Sequence, residues 1–167
     1  MTNDTKPDYF ENPPPRRVGA LVLLERDGEF AVIRRSYWTA ISEYGLPGGS
    51  AEPNELSRRA ANRLLAVKLG VRVSVGALIA VDHSPERPGW FHEGSNFIYH
   101  ARLPPGQEIA VAASSGYTEA QWLAPEAIGE LAIDHELLRI QQSIECLRTN
   151  SFKELLLGLP MYEQPSV

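Results

Sequence analysis

Four residues have the types and neighbours that acid–base or metal chemistry requires: Glu52 and Glu55 beside a glycine-rich loop, Glu119 further on, and His83. Carboxylates from separate elements can converge on a hard divalent cation, and a histidine next to an aspartate, as in Asp82-His83, can supply acid–base chemistry or hold a metal. His92-Glu93 is a second such pair, across the Pro/Gly-containing segment 83–89. Plainer roles compete with these: hydrogen bonding to loop amides for the glutamates, and a polar surface loop for the histidines. None of the histidines, carboxylates or the lone cysteine has the spacing of a dedicated metal site.

A second group suits anion recognition. Arg34-Arg35 follows an apolar run, Lys68 sits near the end of a helical pattern, and Gly48-Gly49 lets a backbone come close to a ligand. Trp90 and Phe91 offer planar faces on which a base could stack. Solvated side chains, or packing of the loop onto a sheet, are the alternatives for all of these.

The elements that must position these residues are legible in the residue pattern. Val18 to Leu24 and Phe30 to Ile33 are rich in aliphatic residues and flank Arg26-Asp27-Gly28, which reads as a hairpin. After the loop 45–49, Pro53 suits a first helical turn and Asn54 a cap. Leu56, Ala60, Leu64 and Val67 then recur at helical spacing up to Gly70, the natural stop. Val71 to Val75, Ala77 to Val81, Ser95 to Leu103 and Glu119 to Leu123 read as strands. Leu137, Leu138, Ile140, Ile144 and Leu147 lie on one face of a helix from Asp134 to Arg148, and a shorter helical piece is expected from Ser151, where Ser151 and Glu154 have capping-box spacing. Strands, a central helix, more strands and a terminal helix make an α+β or α/β/α domain with a mixed sheet.

Composition bounds the rest. A chain of 167 residues with 43% hydrophobic content supports one domain with a real core. Its net charge of -5 provides no general field for nucleic acid or anionic membrane, so an anionic ligand needs a local site. No apolar stretch reads as a signal peptide or membrane span, and the single cysteine, Cys146, falls in an apolar helical pattern; a cytoplasmic protein is expected. Phe152, Leu155, Leu156 and Leu159 form an apolar cluster that packs onto its own domain or supports a homodimer.

From Gly49 to Val71 the chain resembles the Nudix box. That motif runs glycine, five residues, glutamate, seven residues, Arg-Glu-apolar, one residue, Glu-Glu, one residue, Gly-apolar. Gly49, Glu55, Arg63 and Gly70 stand in register, Leu65 and Val71 fill apolar slots, and Leu46-Pro47-Gly48-Gly49 is the usual lead-in. The likeness extends to Arg34-Arg35, to Glu52-Pro53 and to Glu119 three residues before Trp122, so it covers roughly Arg17 to Leu147. It implies a Nudix fold, an α/β/α sandwich with a mixed sheet and a C-terminal helix. Residues 17–149 would be the domain, 1–16 an N-terminal arm, and 150–167 a C-terminal helical extension and tail.

The chemical half of the motif is missing. Carboxylates at i, i+3 and i+4 share one helix face and hold the divalent cations that polarise a diphosphate and activate water. The corresponding residues here are Leu64, Val67 and Lys68. Losing even an outer-shell partner of a metal ligand costs about 10- to 100-fold, and losing several ligands costs more. Leu64 and Val67 are expected to extend the packed stripe of the helix; Lys68 is either a solvated lysine or a cation that meets phosphate in place of magnesium. The resemblance thus implies a divergent Nudix-fold protein that binds a nucleotide-like or diphosphate-containing metabolite, with magnesium-dependent hydrolysis weak or lost. No metal is expected on the helix. The alternative is a repurposed or residual hydrolase, acting through a relocated metal or acid–base site with Glu52, Glu55, Asp82, His83, His92 and Glu119 as the candidates, and magnesium would enter only there.

Overall fold

A computed structural model describes residues 8–37, 42–131 and 134–161. The N-terminal arm through residue 7 and the tail from 162 lie outside the described residues.

The expected hairpin is β1 (Arg17–Arg26) with β2 (Glu29–Arg35). Asp27 and Gly28 both have positive φ, as a two-residue turn matching strand twist requires. Two short strands follow, β3 (Tyr44–Gly45) on β2 and β4 (Gly48–Ser50) on β1, and then helix α1 (Ser57–Leu69). Next come β5 (Leu78–Ser84), β6 (Gly94–Arg102) and β7 (Tyr117–Leu123), a short helix α2 (Pro125–Gly129), and α3 (His135–Thr149). The described chain closes with β8 (Lys153–Leu156) and β9 (Leu159–Pro160).

The sheet is mixed. Its strands run β3-β2-β1-β6-β5-β8-β9, with β4 also on β1 and β7 on β2; β1·β6 and β5·β8 are parallel pairs. Alternation along β1 explains the layers. Ala20, Val22 and Leu24 point to one face, where Ala60, Ala61, Leu64, Leu65 and Leu69 of α1 cover them. Leu21 and Leu23 point to the other, where Ile128, Leu137, Ile140 and Cys146 of α2 and α3 pack. Helices on both faces give the expected α/β/α sandwich of α+β character.

Several local expectations are corrected. The segment from Ser151 is the β8 and β9 hairpin, not a helix: Lys153, Glu154, Leu155 and Leu156 pair with Ala80 to His83 of β5, so a sheet edge overrides the capping-box pattern. Val71 to Val75 joins no ladder, because its backbone groups are taken by side chains. Asn62 Oδ1 accepts from Val75 N, Arg58 donates to Val75 O, and Gln107 bonds both Arg72 N and Arg72 O. Helix α1 begins at Ser57, and Asn54 stands before it with φ 61° in place of capping. The buried stripe is also rotated: Leu56 and Val67 are exposed, 68% and 60%, while Leu64 is buried as expected. Gly70 ends the helix in the left-handed conformation, as anticipated.

Asp134 caps α3, its carboxylate accepting from Glu136 N and Leu137 N. Among the described residues no helix is long and apolar enough to cross a membrane.

Candidate functional site

A cavity of about 270 Å³ opens where β1, β2, β4, β6 and the start of α3 meet. Its charged wall consists of Arg17, Arg35, Lys68 and Arg139 with one carboxylate, Glu136, and His135 at the edge. Leu21, Ile33 and Leu46 give it an apolar floor, and Tyr37, Phe91 and Tyr117 supply aromatic surface. Concave, mostly apolar surface with a few converging polar groups is the usual form of a small-molecule site.

The glycine loop shapes one side. Gly48 has φ 145°, and a Cβ there would fall 2.1 Å from the carbonyl oxygen of Ala20, so only glycine lets β4 lie this close to β1. The Tyr117 hydroxyl secures the loop, accepting from Gly48 N at 2.9 Å and donating to Gly48 O at 2.8 Å. Burial pushes the Tyr117 phenol well above its usual range, so the hydroxyl stays protonated in this role.

Lys68 is not a solvated lysine. Its Nζ donates to Gly48 O at 3.0 Å and lies 4.7 Å from the centre of the Tyr117 ring. Burial, then the nearby charges of Arg63 and Arg35, push its ammonium below the usual lysine value. No carboxylate lies within 4.0 Å of it among the described residues.

Arg35, from the end of β2, donates to Tyr44 O at 2.8 Å and approaches Glu136 Oε1 at 3.5 Å. Arg17, at the start of β1, donates to Asn96 Oδ1 at 2.9 Å and faces the Phe91 ring. Burial is the main cause lowering the Arg17 guanidinium, with Arg139 adding repulsion. The Nε atoms of both Arg17 and Arg35 are buried without a hydrogen-bond partner. Behind them Arg139 is clamped between Asp82 and Glu136, at 2.6 Å from each. Burial alone would raise the Glu136 carboxyl, but Arg139, Arg35 and His135 outweigh it and hold the group below the ordinary range.

The sequence-derived site residues divide between this cavity and other places. Arg35, Gly48, Gly49, Lys68 and Phe91 line the cavity. Arg34 instead pairs with Glu43 at the surface, and Trp90 is 47% exposed under Arg87. His83 lies off the cavity, its Nδ1 against Ser95 Oγ at 2.9 Å and its Nε2 against Glu154 Oε1 at 2.8 Å, which ties β5 to β6 and β8.

Among the described residues Glu52, Glu55 and Glu119 are not drawn together into one cluster. Glu55 binds Arg63 through both oxygens and accepts from Glu52 N, so Arg63 and that amide hold its carboxyl down at about 2. Glu52 also faces Arg63, at 3.6 Å. Glu119 is exposed on β7 opposite Arg34. Among the described residues no three of His, Cys, Asp and Glu are grouped to hold a metal ion. Among the described residues the magnesium that the Nudix box implies finds no fitting donor set on the helix: of its three positions, Leu64 is packed, Val67 faces outward and Lys68 brings a cation into the cavity.

Arg17, Asn96, Tyr117, Glu136 and Arg139 were not legible as site residues. The one available signal was Glu136 and Arg139, two charges inside the apolar stripe of α3.

The loop-helix-loop with its Glu55–Arg63 pair, on a mixed sheet between helices, is matched by a family profile: that of the NUDIX domain covers residues 13–142. The chain belongs to this family. Solved Nudix structures share the fold at low identity. The MutT protein from Methanosarcina mazei Go1 superposes with a TM-score of 0.66 at 17% identity, covering 83% of this chain and 97% of that one. A MutT NUDIX hydrolase from Burkholderia pseudomallei gives 0.65 at 22%, covering 77% and 98%. The NUDIX domain of Shewanella oneidensis NrtR, crystallised with ADP ribose, gives 0.61 at 20%, covering 88% and 99%. Among curated proteins none matches this chain.

Proposed function

We propose that this Nudix-fold protein binds a nucleotide-like or diphosphate-containing metabolite in the cavity through its own cations, and hydrolyses it weakly or not at all. The observation that carries this is Lys68: at a position where the Nudix box has a metal-binding glutamate, an ammonium donates to Gly48 O inside the cavity, beside Arg35 and Arg17. Arg17, Arg35, Lys68 and Arg139 against the two carboxylates Glu136 and Asp82 suit a dianion, and guanidinium forks suit phosphate oxygens. The aromatic rings suit a planar group attached to it. ADP ribose in the NrtR domain is a neighbour's ligand of this chemical kind. A hydrolase with relocated magnesium is disfavoured by the ion pairing of Glu55 and Glu52 to Arg63.

The test is calorimetric titration with ADP-ribose, dinucleotides and nucleoside triphosphates, with and without chelator, followed by product analysis. Binding that survives chelation, without product, is the expected result. Rapid magnesium-dependent turnover, or no heat with any of these compounds, would sink the reading.

Two finer features belong to the same proposal. A cytoplasmic location fits a ligand of this class. Self-association through the β8 and β9 hairpin fits Phe152, Leu156, Leu157 and Leu159, 39 to 56% exposed, and sedimentation across a concentration series tests it.

A further inference from the structure

The amine in the cavity wall has features that electrostatic binding does not need. The chain has three lysines: Lys6, Lys68 and Lys153. Lys153 donates to Gln142 Oε1 at 2.6 Å and is not part of the cavity wall, whereas Lys68 Nζ is held between the Gly48 carbonyl and the Tyr117 ring, facing the cavity. Among the described residues Lys68 has no carboxylate within 4.0 Å, so no counter-ion stabilises its charged form. Half-burial and the charges of Arg63 and Arg35 favour the free amine and outweigh the Tyr117 ring, whose face favours the ammonium. A lysine that is desolvated and flanked by cations is the usual form of an amine nucleophile toward carbonyl groups. An arginine would have served better for phosphate binding alone.

We propose that Lys68 Nζ captures the carbonyl carbon of a phosphate-bearing aldehyde or ketone in the cavity as an imine. The inference rests on the preceding reading only in that the same guanidiniums seat the phosphate. The lone pair of the neutral amine forms the C–N bond while the carbonyl π pair moves to oxygen. A proton passes from nitrogen to that oxygen, and the resulting carbinolamine then loses water to leave the C=N bond. No oxidant, reductant or metal is consumed. Arg35 and Arg17 hold the anionic end, and the rings of Tyr37, Phe91 and Tyr117 leave room for a planar body.

The probe is pyridoxal 5′-phosphate at or below one equivalent, reduced with borohydride so that any imine becomes a stable secondary amine, and mapped by peptide mass spectrometry. Pyridoxal is the phosphate-free control and pyrophosphate the competitor. A lowered pKa raises an amine's neutral fraction and the guanidiniums concentrate the phosphate-bearing aldehyde beside it, so Lys68 should label several-fold faster than Lys6 or Lys153. That labelling should weaken with pyridoxal or added pyrophosphate. Lys68→Arg, checked for an unchanged melting curve, should carry no adduct at that position, while Lys153→Arg should label as the parent does. Equal rates at the three lysines, or equal labelling by the two aldehydes, overturns the proposal. Calorimetric titration of the parent with pyrophosphate separates the two readings: binding without preferential labelling removes the imine alone, whereas the absence of both removes the two together.

Discussion

Arg139 Nε donates to Asp82 Oδ2 at 2.6 Å, with the two side chains 3% and 0% exposed. The other oxygen of Asp82 accepts from Gly158 N at 2.9 Å, so a single carboxylate joins β5, α3 and the turn between β8 and β9. The C-terminal hairpin is thereby linked to the wall of the cavity. Removing one partner of a buried ion pair leaves an uncompensated charge and costs about 3–5 kcal/mol. Asp82→Ala should lower the urea midpoint accordingly. Asp82→Leu combined with Arg139→Met should recover only part of the loss, because buried Glu136 loses its 2.6 Å partner and keeps only Arg35 at 3.5 Å and His135 at 3.6 Å. A single variant within about 0.5 kcal/mol of the parent, as at ordinary surface sites, would show that the pair has no structural role.

The Glu55–Arg63 pair makes a pH prediction. Bonds from Arg63 and from Glu52 N lower the Glu55 carboxyl from the usual 4.5 to about 2 in the folded chain. A carboxylate depressed by folding contributes stability that is complete above about pH 4.5 and is lost as pH falls toward 2. Glu55→Gln should therefore be less stable than the parent at neutral pH, and the gap should close in that acid window. Parallel denaturation curves from pH 7 to 2 measure it; a constant gap would mean that the carboxylate's charge is not what stabilises the loop.

The same pair shows what the sequence could and could not reveal. Gly49, Glu55, Arg63 and Gly70 were readable because they set local backbone and one short-range bond, which fixed spacing encodes. Alternation in β1 and the stripe of α3 carried the sheet and its layers for the same reason. The cavity was less legible, since it forms from residues far apart in sequence. Arg17 meets Asn96 across 79 positions, and Asp82 meets Arg139 across 57. Capping-box spacing at Ser151 and Glu154 misled because it is a local signal, and parallel pairing with β5 is not. Lys68 sits on a helix face whose spacing alone does not reveal that Gly48 O waits beneath it.

Restoring the missing carboxylates tests whether metal chemistry was lost at the helix alone. Val67 is 60% exposed and tolerates glutamate, but Leu64 is 6% exposed, and an unpaired carboxylate there is costly. Val67→Glu with Lys68→Glu should fold normally. Adding Leu64→Glu should destabilise the chain by about 2 kcal/mol or more until manganese binds. A melting temperature that rises with manganese in the triple variant and not in the parent is the expected outcome, since a ligand bound only by the folded state stabilises it by mass action. If metal leaves the triple variant unchanged, more of the cavity than these three side chains has diverged.

Lys68→Met sets stability against binding. Because burial lowers the pKa of this ammonium in the folded chain, the unfolded chain holds its proton more firmly. The charge therefore works against folding at neutral pH, and that penalty fades as pH rises toward the ordinary value of 10.5. A methionine of similar length removes the penalty and keeps contact with the Tyr117 ring. The variant should melt above the parent at pH 7, with the difference shrinking in alkali. Its affinity for pyrophosphate or ADP-ribose should fall by about 10- to 100-fold, the worth of one charge-assisted hydrogen bond of roughly 1.5–3 kcal/mol. A residue kept against stability and in favour of a ligand gives opposite signs in these two measurements. A lysine that merely packs against the glycine loop would lose both together on replacement, or neither.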